Sequence, residues 1–306
     1  MSAQPQLENA YPLTAKPCAG VGLHVSSLPS PYGIGDVGDA AVAFIDGLAA
    51  MNLRVWQFLP TGPTAFGDSP YQSLSTFAGN ENLIGLEPLV RAGLLHETEL
   101  APLLKLPADR VGYNALIPLK RTLLELAADR FEENADAALT AALDRFLGDV
   151  DTLWLADYAI YRVLKHRFSE RPWPEWPERF RRHDAAALSE VERDNPRAIR
   201  RVKIQQFFFD QQWQNLKAHA EKRNVRLFGD MPIYIALDSS DAWSNPQMLC
   251  LDEQGVPSRV AGVPPDYFSA DGQLWGNPLY DWAYHAGQSY RWWTGRIRWA
   301  MRQYHL

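Results

Sequence analysis

Apolar positions along the chain follow two rhythms. Val21–Val25 (VGLHV) is a short apolar run closed by the turn-rich SSLPSPYGIGDVG, and such a run reads as a buried strand. Asp39–Met51 (DAAVAFIDGLAAM) then carries helical periodicity, and Arg54–Leu59 (RVWQFL), ended by Pro60, is a second strand. Strand, helix, strand in that order favours a parallel sheet with crossover helices. From about Leu89 to Arg223 the rhythm is helical throughout. Ile117–Phe131, Ala137–Leu147, Trp154–Phe168 and Ile204–Arg223 repeat apolar residues at i, i+3, i+4, while Pro172, Pro174 and Pro177 mark a loop. The strand pattern returns at Val225–Tyr234 (VRLFGDMPIY). A closing helix is expected to turn Tyr290, Trp293, Ile297, Met301 and Tyr304 to one face. Residues 1–19 read as a loose lead-in.

The pattern predicts an α/β chain with a helical insertion between its second and third strands. The closing helix is the crossover after a third parallel strand, yet no fourth strand precedes His305-Leu306, and its apolar stripe is left without a partner. A (β/α)8 barrel needs eight strands and about 250 residues before insertions. The expectation is therefore a truncated barrel, with a small open three-stranded sheet as the alternative. Barrel segments are placed at about 20–88 and 224–306, and the insertion at about 89–223.

Composition narrows the function. The chain has 306 residues, 46% of them hydrophobic, enough for a large core. A formal charge of -6 and the lack of a long Lys/Arg run argue against nucleic acid as a partner. The first residues, MSAQPQLENA, lack the basic start and apolar run of a secretory signal. No apolar run approaches the ~20 residues that span a bilayer, so no membrane partner is expected. Cys18 and Cys250 are far apart without metal-ligand spacing, which points to a reducing cytoplasm. The histidines are scattered, so neither a metal nor a cofactor is expected. There is no P-loop and no G-x-S-x-G elbow.

Four stretches carry candidate chemistry. Gly33–Gly38 (GIGDVG) fits a dinucleotide fingerprint in letters only, because two prolines and other residues separate it from the strand; a loop leading into a helix explains it as well. Asp230 stands just after the third strand, at the carboxyl end that carries chemistry in parallel barrels. There it can bind a sugar hydroxyl or steer a catalytic partner; it can equally cap a helix or join a loop ion pair. Asp238 and Asp241, in ALDSSDAW, read as capping residues, supported by Ser239 and Ser240. The loop GDSPYQS follows the second strand and offers Asp68, Ser69, Tyr71 and Gln72. A ring with hydroxyls nearby suits a sugar, whose C–H face packs on an aromatic while its hydroxyls take hydrogen bonds; a turn with a buried tyrosine is the plainer reading. Finally, VPPDYFSADGQLWGNPLYDW sets Tyr267, Phe268, Trp275, Tyr280 and Trp282 on a segment expected to be neither a long helix nor a long strand. Not all five rings can face one core, so some are expected in a binding cleft. Tyr280 and Trp282 fit a small core under the loop better than Trp275 does.

Taken together, SSLPSPYGIGDVG, WQFLPTGPTAFGDSPYQSLSTFAGN, GDMPIYIALDSSDAW, VAGVPPDYFSADGQLWGNPLYDW and the YRWW of the last helix resemble the 4-alpha-glucanotransferases (amylomaltases, or disproportionating enzymes) of the alpha-amylase superfamily. The segments lie in that family's order and span about residues 20–300. The resemblance implies the N-terminal portion of a (β/α)8 barrel and a retaining reaction on alpha-1,4-glucans such as malto-oligosaccharides. One carboxylate attacks the anomeric carbon, a second protonates the leaving oxygen, and another sugar's 4-hydroxyl then intercepts the glucosyl-enzyme. Asp230 matches the acid that supports the sugar at the cleavage site and is not the nucleophile. Tyr71 matches a tyrosine stacked on the donor sugar, with Ser69 lining the same loop. Tyr267 and Phe268 match a mobile loop that helps hold acceptor glucan, and Trp275 a tryptophan on the acceptor side. The nucleophilic Asp, the acid/base Glu and a third Asp come later in the family pattern than Leu306. This chain alone is therefore expected to be inactive. The competing readings are an alpha-glucan hydrolase, a non-catalytic glucan-binding protein, and a fragment with no function of its own. The central expectation is that Tyr71, Asp230 and Trp275 open onto one groove.

Overall fold

Three short parallel strands, β1 (Gly20–Gly22), β2 (Val55–Gln57) and β3 (Arg226–Phe228), form a sheet in the order β1-β2-β3 in a computed structural model describing residues 17–306. Most of the sequence-read lead-in lies outside the described residues. The register sets Val21 beside Trp56 and Trp56 beside Leu227. Trp56 and Leu227 are fully buried, and the Trp56 indole donates to Leu23 O at 2.8 Å. Removing a ring of this size from a packed core costs about 3–5 kcal/mol. The expected strand segments are all present but regular pairing covers only three residues of each, because prolines and glycines redirect the chain at the carboxyl ends. All three strands end at the same edge, so the segments that follow them start side by side.

Helix α1 (Asp39–Ala50) crosses between β1 and β2. Between β2 and β3 lie α2 (Glu87–Arg91), α3 (Tyr113–Asn134), α4 (Ala137–Val150), α5 (Ala156–Arg167), α6 (Glu178–Arg181), α7 (Ala185–Asp194) and α8 (Pro196–Lys222). A π turn, Asp151–Leu155, joins α4 to α5. Asp136 and Asp184 cap α4 and α7 by accepting from Leu139 N and Ala187 N. Helix α8 starts at Pro196, earlier than periodicity alone suggests, because proline is well placed in a first turn. It buries Phe207, Phe208, Phe209 and Trp213, and it touches α1, α3, α4, α5 and α7 as well as β3. Apolar residues on several faces are what a helix at the centre of a layer requires. Phe44, Trp56, Phe58 and Trp213 continue the core from sheet to helix in edge-to-face pairs 4.9, 5.6 and 5.5 Å apart.

After β3 come α9 (Ser240–Ser244), the antiparallel hairpin β4 (Val260–Val263) and β5 (Gln273–Pro278), α10 (Trp282–Gly287) and α11 (Arg291–Gln303). Strand β5 falls inside the aromatic stretch read from sequence as loop, and β4 ends where that stretch begins. The closing helix also differs from its expected pattern. Ile297 and Met301 are exposed, Tyr290 precedes the helix, and the buried positions are Arg296 and Gln303. Arg296 is held there by the carbonyls of Pro232 and Ile233, and Gln303 by the side chains of Asp210 and Gln214. The chain end is paired as well: His305 N and Leu306 N donate to Leu227 O at 3.0 and 3.2 Å, and Gly229 N donates to Leu306 O at 3.0 Å. These last residues run along the edge of β3 away from β2.

The glycines of GIGDVG lead into α1 as anticipated. Gly38 lies back to back with Gly85, and a Cβ on Gly35 would strike the backbone of Val25 and Leu28. Protein fills the space a phosphate would need.

Candidate functional site

The loop after β2 is folded on itself before it reaches Tyr71. Thr64 and Ser73 form an antiparallel bridge, and Ala65 N donates to Gln72 O at 2.9 Å. Gly67 and Asp68 at the tip have φ of 73° and 53°, a left-handed pair that glycine and aspartate tolerate. Burial raises the Asp68 carboxyl above its usual range. Ser69 Oγ accepts from Tyr71 N at 3.4 Å, so Ser69 shapes the turn that presents the tyrosine. The base of the loop is held from α8: Gln206 accepts from Gly79 N at 2.8 Å and donates to Gly79 O at 2.9 Å. Gln212 treats Gly85 the same way, at 2.7 and 3.0 Å.

Asp230 leads the segment after β3. The Tyr71 hydroxyl donates to Asp230 Oδ2 at 2.7 Å, joining the two loops at their tips. That bond, with burial and the nearby negative charge, pushes the Tyr71 phenol up to about 12. Behind Asp230, Arg296 donates to Pro232 O and the Tyr280 hydroxyl donates to Ile233 O at 3.0 Å. Ser239 caps α9 by accepting from Ala242 N at 3.2 Å, as expected. Asp238 and Asp241 do not cap it. Asp238 takes Lys165 Nζ and the Tyr161 hydroxyl, each at 2.7 Å, which ties the segment to α5. Asp241 accepts from Thr76 N and Oγ1, each at 2.9 Å. These carboxylates found long-range donors that a local pattern cannot reveal.

The aromatic stretch divides its rings between two environments. Tyr280 is buried in a small cluster with Ile235, Met248 and Leu249, and Trp282 lies half exposed against Trp293, ring centres 5.9 Å apart. Trp275 is 43% exposed on β5, its centre 6.3 Å from that of Tyr234. Tyr267 and Phe268 stand between β4 and β5, 98% and 88% exposed, touching each other edge to face at 5.6 Å.

Tyr71, Asp230, Thr76, Pro232, Tyr234 and Arg296 line one groove. Its enclosed part measures about 70 Å³, room for a few waters and not for a sugar ring. Tyr71 and Asp230 meet directly on this groove, whereas Trp275 is not part of its lining and only packs on Tyr234, which is. Ser69 supports Tyr71 from within its turn. Tyr267 and Phe268 stand clear on the hairpin. Among the described residues no cluster of three or more His, Cys, Asp or Glu is set to hold a metal ion. No helix among them is long and apolar enough to cross a membrane.

A sequence profile described as 4-alpha-glucanotransferase matches residues 23–306. The chain belongs to the 4-alpha-glucanotransferase family. It is 41% identical over 290 residues to a 4-alpha-glucanotransferase of Streptococcus pneumoniae serotype 4, covering 94% of this chain and 57% of that protein. A Thermus thermophilus 4-alpha-glucanotransferase is 41% identical over 287 residues, covering 94% and 56%. Among solved structures, an amylomaltase from Streptococcus agalactiae in complex with acarbose superposes with a TM-score of 0.90 at 36% identity, covering 94% of this chain and 58% of that one. The chain thus spans a little over half the length of these 4-alpha-glucanotransferases.

Sequence reasoning missed Arg296 and Gln206, and it read Asp241 as a cap where it in fact holds Thr76. Arg296 had a signal: Trp292, Arg296, Trp299 and Gln303 recur at helical spacing, a stripe that sets an arginine between rings. Gln206 had none, since its partner is backbone more than a hundred residues away.

Proposed function

We propose that the groove binds α-1,4-glucan and that the whole protein transfers α-1,4-glucan segments between malto-oligosaccharides by retaining double displacement. In this reading β1–β3 open a (β/α)8 barrel, with segments at about 20–88 and 224–306, and residues of about 89–223 are inserted between strands 2 and 3. The 2.7 Å bond between Tyr71 and Asp230 carries the proposal, because it sets an aromatic ring and a carboxylate acceptor side by side on an open groove. A sugar ring packs its C–H face on an aromatic and gives its hydroxyl protons to a carboxylate. Tyr71 with Ser69 serves the donor side, Trp275 the acceptor side, and Tyr267 and Phe268 close over acceptor glucan.

Retaining transfer needs two carboxyl groups about 5–5.5 Å apart. Asp210 and Asp230 are the carboxylates lining the groove among the described residues. Asp210 is ion-paired with Arg302 at 2.9 Å, and Asp230 is engaged by Tyr71. Asp230 is accordingly read as a supporting carboxylate that positions sugar hydroxyls, and neither acid as the nucleophile. This favours a second reading for the 306-residue chain taken alone, a glucan-binding unit without turnover. Two unpaired cysteines, Cys18 and Cys250, suit a cytoplasmic setting.

The test is incubation of this chain with maltotriose, followed by chromatography and calorimetry. Saturable binding that weakens in Trp275→Ala, without products, is the expected result. Products longer than maltotriose would overturn the reading of Asp230 and Asp210, release of glucose or maltose alone would favour a hydrolase, and absence of binding would remove the proposal.

A further inference from the structure

Two buried opposite charges, Arg296 in the groove lining and Asp241 outside it, are each bonded to neutral groups and not to each other. Asp241, 5% exposed, directs both carboxylate oxygens to Thr76, accepting from its backbone N and from its hydroxyl at 2.9 Å each. Arg296, 2% exposed, donates to Pro232 O, to Ile233 O at 3.5 Å and to the Tyr280 hydroxyl at 3.3 Å. Its guanidinium lies 5.4 and 5.1 Å from the ring centres of Trp292 and Trp293, and its Nε has no partner. No ion pair involves either residue among the described residues, yet each feels the other's charge. Burial works against both, raising the Asp241 carboxyl and lowering Arg296.

We propose that Asp241 and Arg296 are positioning residues, two separate buried charges, each of which holds one of the two segments that bring Tyr71 and Asp230 together. The proposal deepens the glucan-binding reading and rests on it. Thr76 comes five residues after Tyr71, and Ser240 N donates to Leu74 O at 2.8 Å beside it, so α9 grips the Tyr71 loop just behind its tip. Pro232 and Ile233 come two and three residues after Asp230, so α11 grips the other segment equally close to its working residue. An ion taken out of water costs several kcal/mol unless it is well bonded. Neutral side chains could have met these backbone groups at less cost, but hydrogen bonds to an ion are shorter and about twice as strong.

The titration of Tyr71 reports the Tyr71–Asp230 bond independently of any ligand. It is read as the ultraviolet difference between the parent chain and Tyr71→Phe. Asp241→Asn and Arg296→Gln are expected to move the Tyr71 phenol down toward the ordinary tyrosine range while the chain stays folded. Each is expected to weaken maltotriose binding about tenfold, as loss of a charged anchor implies. Arg296→Lys should recover part of both effects. The double variant should lose less than the two single losses multiplied, because either change alone already loosens the one Tyr71–Asp230 bond that both residues serve. An unmoved Tyr71 titration in the folded single variants, or strictly multiplicative losses, overturns the proposal. If those variants unfold, Thr76→Val carries the test, and an unmoved Tyr71 titration in the folded Thr76→Val chain overturns it equally. A parent chain that fails to bind maltotriose defeats the glucan reading alone, since the Tyr71 titration still decides the positioning roles.

Discussion

Tyr71 donates a 2.7 Å hydrogen bond to Asp230 across 159 residues of sequence. The phenol is half exposed, yet it is pushed up to about 12, first by that bond and then by burial and by the charge of Asp230. Phenolate and carboxylate repel, so the phenol keeps its proton while Asp230 is ionised. Asp230→Asn removes the charge and is expected to bring Tyr71 back toward the ordinary value of about 10 in a spectrophotometric titration. Tyr71→Phe keeps the ring and loses the hydroxyl, so glucan binding measured by calorimetry should weaken by about 0.5–1.5 kcal/mol. Tyr71→Ala should lose more, because the stacking surface goes too.

How much of this was legible depends on the range over which each residue acts. The strand-helix-strand rhythm located β1, α1, β2 and β3 because apolar periodicity is a local property of burial. The long helices were found for the same reason. Helix α9 and the β4–β5 hairpin were not, although Asp271-Gly272, with Gly272 at φ +72°, is a turn pair that marks a hairpin. Tyr71 and Asp230 were legible as site candidates because each follows a strand at the carboxyl edge. Their mutual bond was not, and neither was the role of Asp241, whose donors on Thr76 lie 165 residues away. In α11 the apolar stripe misled, since Ile297 and Met301 face outward while Arg296 is buried by carbonyls that no helix pattern encodes.

Gly79 anchors the base of the Tyr71 loop, and Gly79→Ala is expected to disturb it. A Cβ there would fall inside the Phe209 ring, and that ring is stacked on Trp213, centres 5.7 Å apart, in the main core. Overpacking of this kind costs about 1–3 kcal/mol. Gln206→Met tests the other half of the anchor. It leaves the N–H and C=O of Gly79 buried without partners, at about 1–3 kcal/mol for each group left unsatisfied. Urea unfolding with an unchanged slope would give both losses directly.

Glu99 gives a pH dependence with a defined sign. Arg130 donates to both of its carboxylate oxygens at 2.8 and 2.7 Å, and His96 N donates at 2.8 Å. These donors, Arg130 first, hold its carboxyl down at about 2, below its ordinary 4.5. A carboxyl lowered on folding stabilises the folded state fully above its ordinary value, and the contribution is lost as pH falls from 4.5 toward 2. Stability should rise with pH across that window. Glu99→Gln should flatten part of the rise and leave the part due to Asp129, whose carboxyl Arg201 and Arg197 also hold down. Denaturant midpoints measured at several pH values check it, and added salt should shrink the effect because the pair is partly exposed.

The hairpin rings separate binding from stability most cleanly. Tyr267 and Phe268 touch each other in solvent and belong to none of the buried clusters among the described residues. Their replacement by alanine should change unfolding free energy by no more than about 0.5 kcal/mol, the usual range for surface positions. If they close over acceptor glucan, the same double variant should lose affinity for maltotriose, as each ring contributes stacking surface that forms only in the complex. Trp275→Ala should behave differently, lowering affinity and also costing some stability, because Trp275 packs on Tyr234. An unchanged affinity in the Tyr267/Phe268 double variant, together with a loss in Trp275→Ala, would confine the glucan site to the groove and the Trp275 ring on β5 and remove the hairpin tip from it.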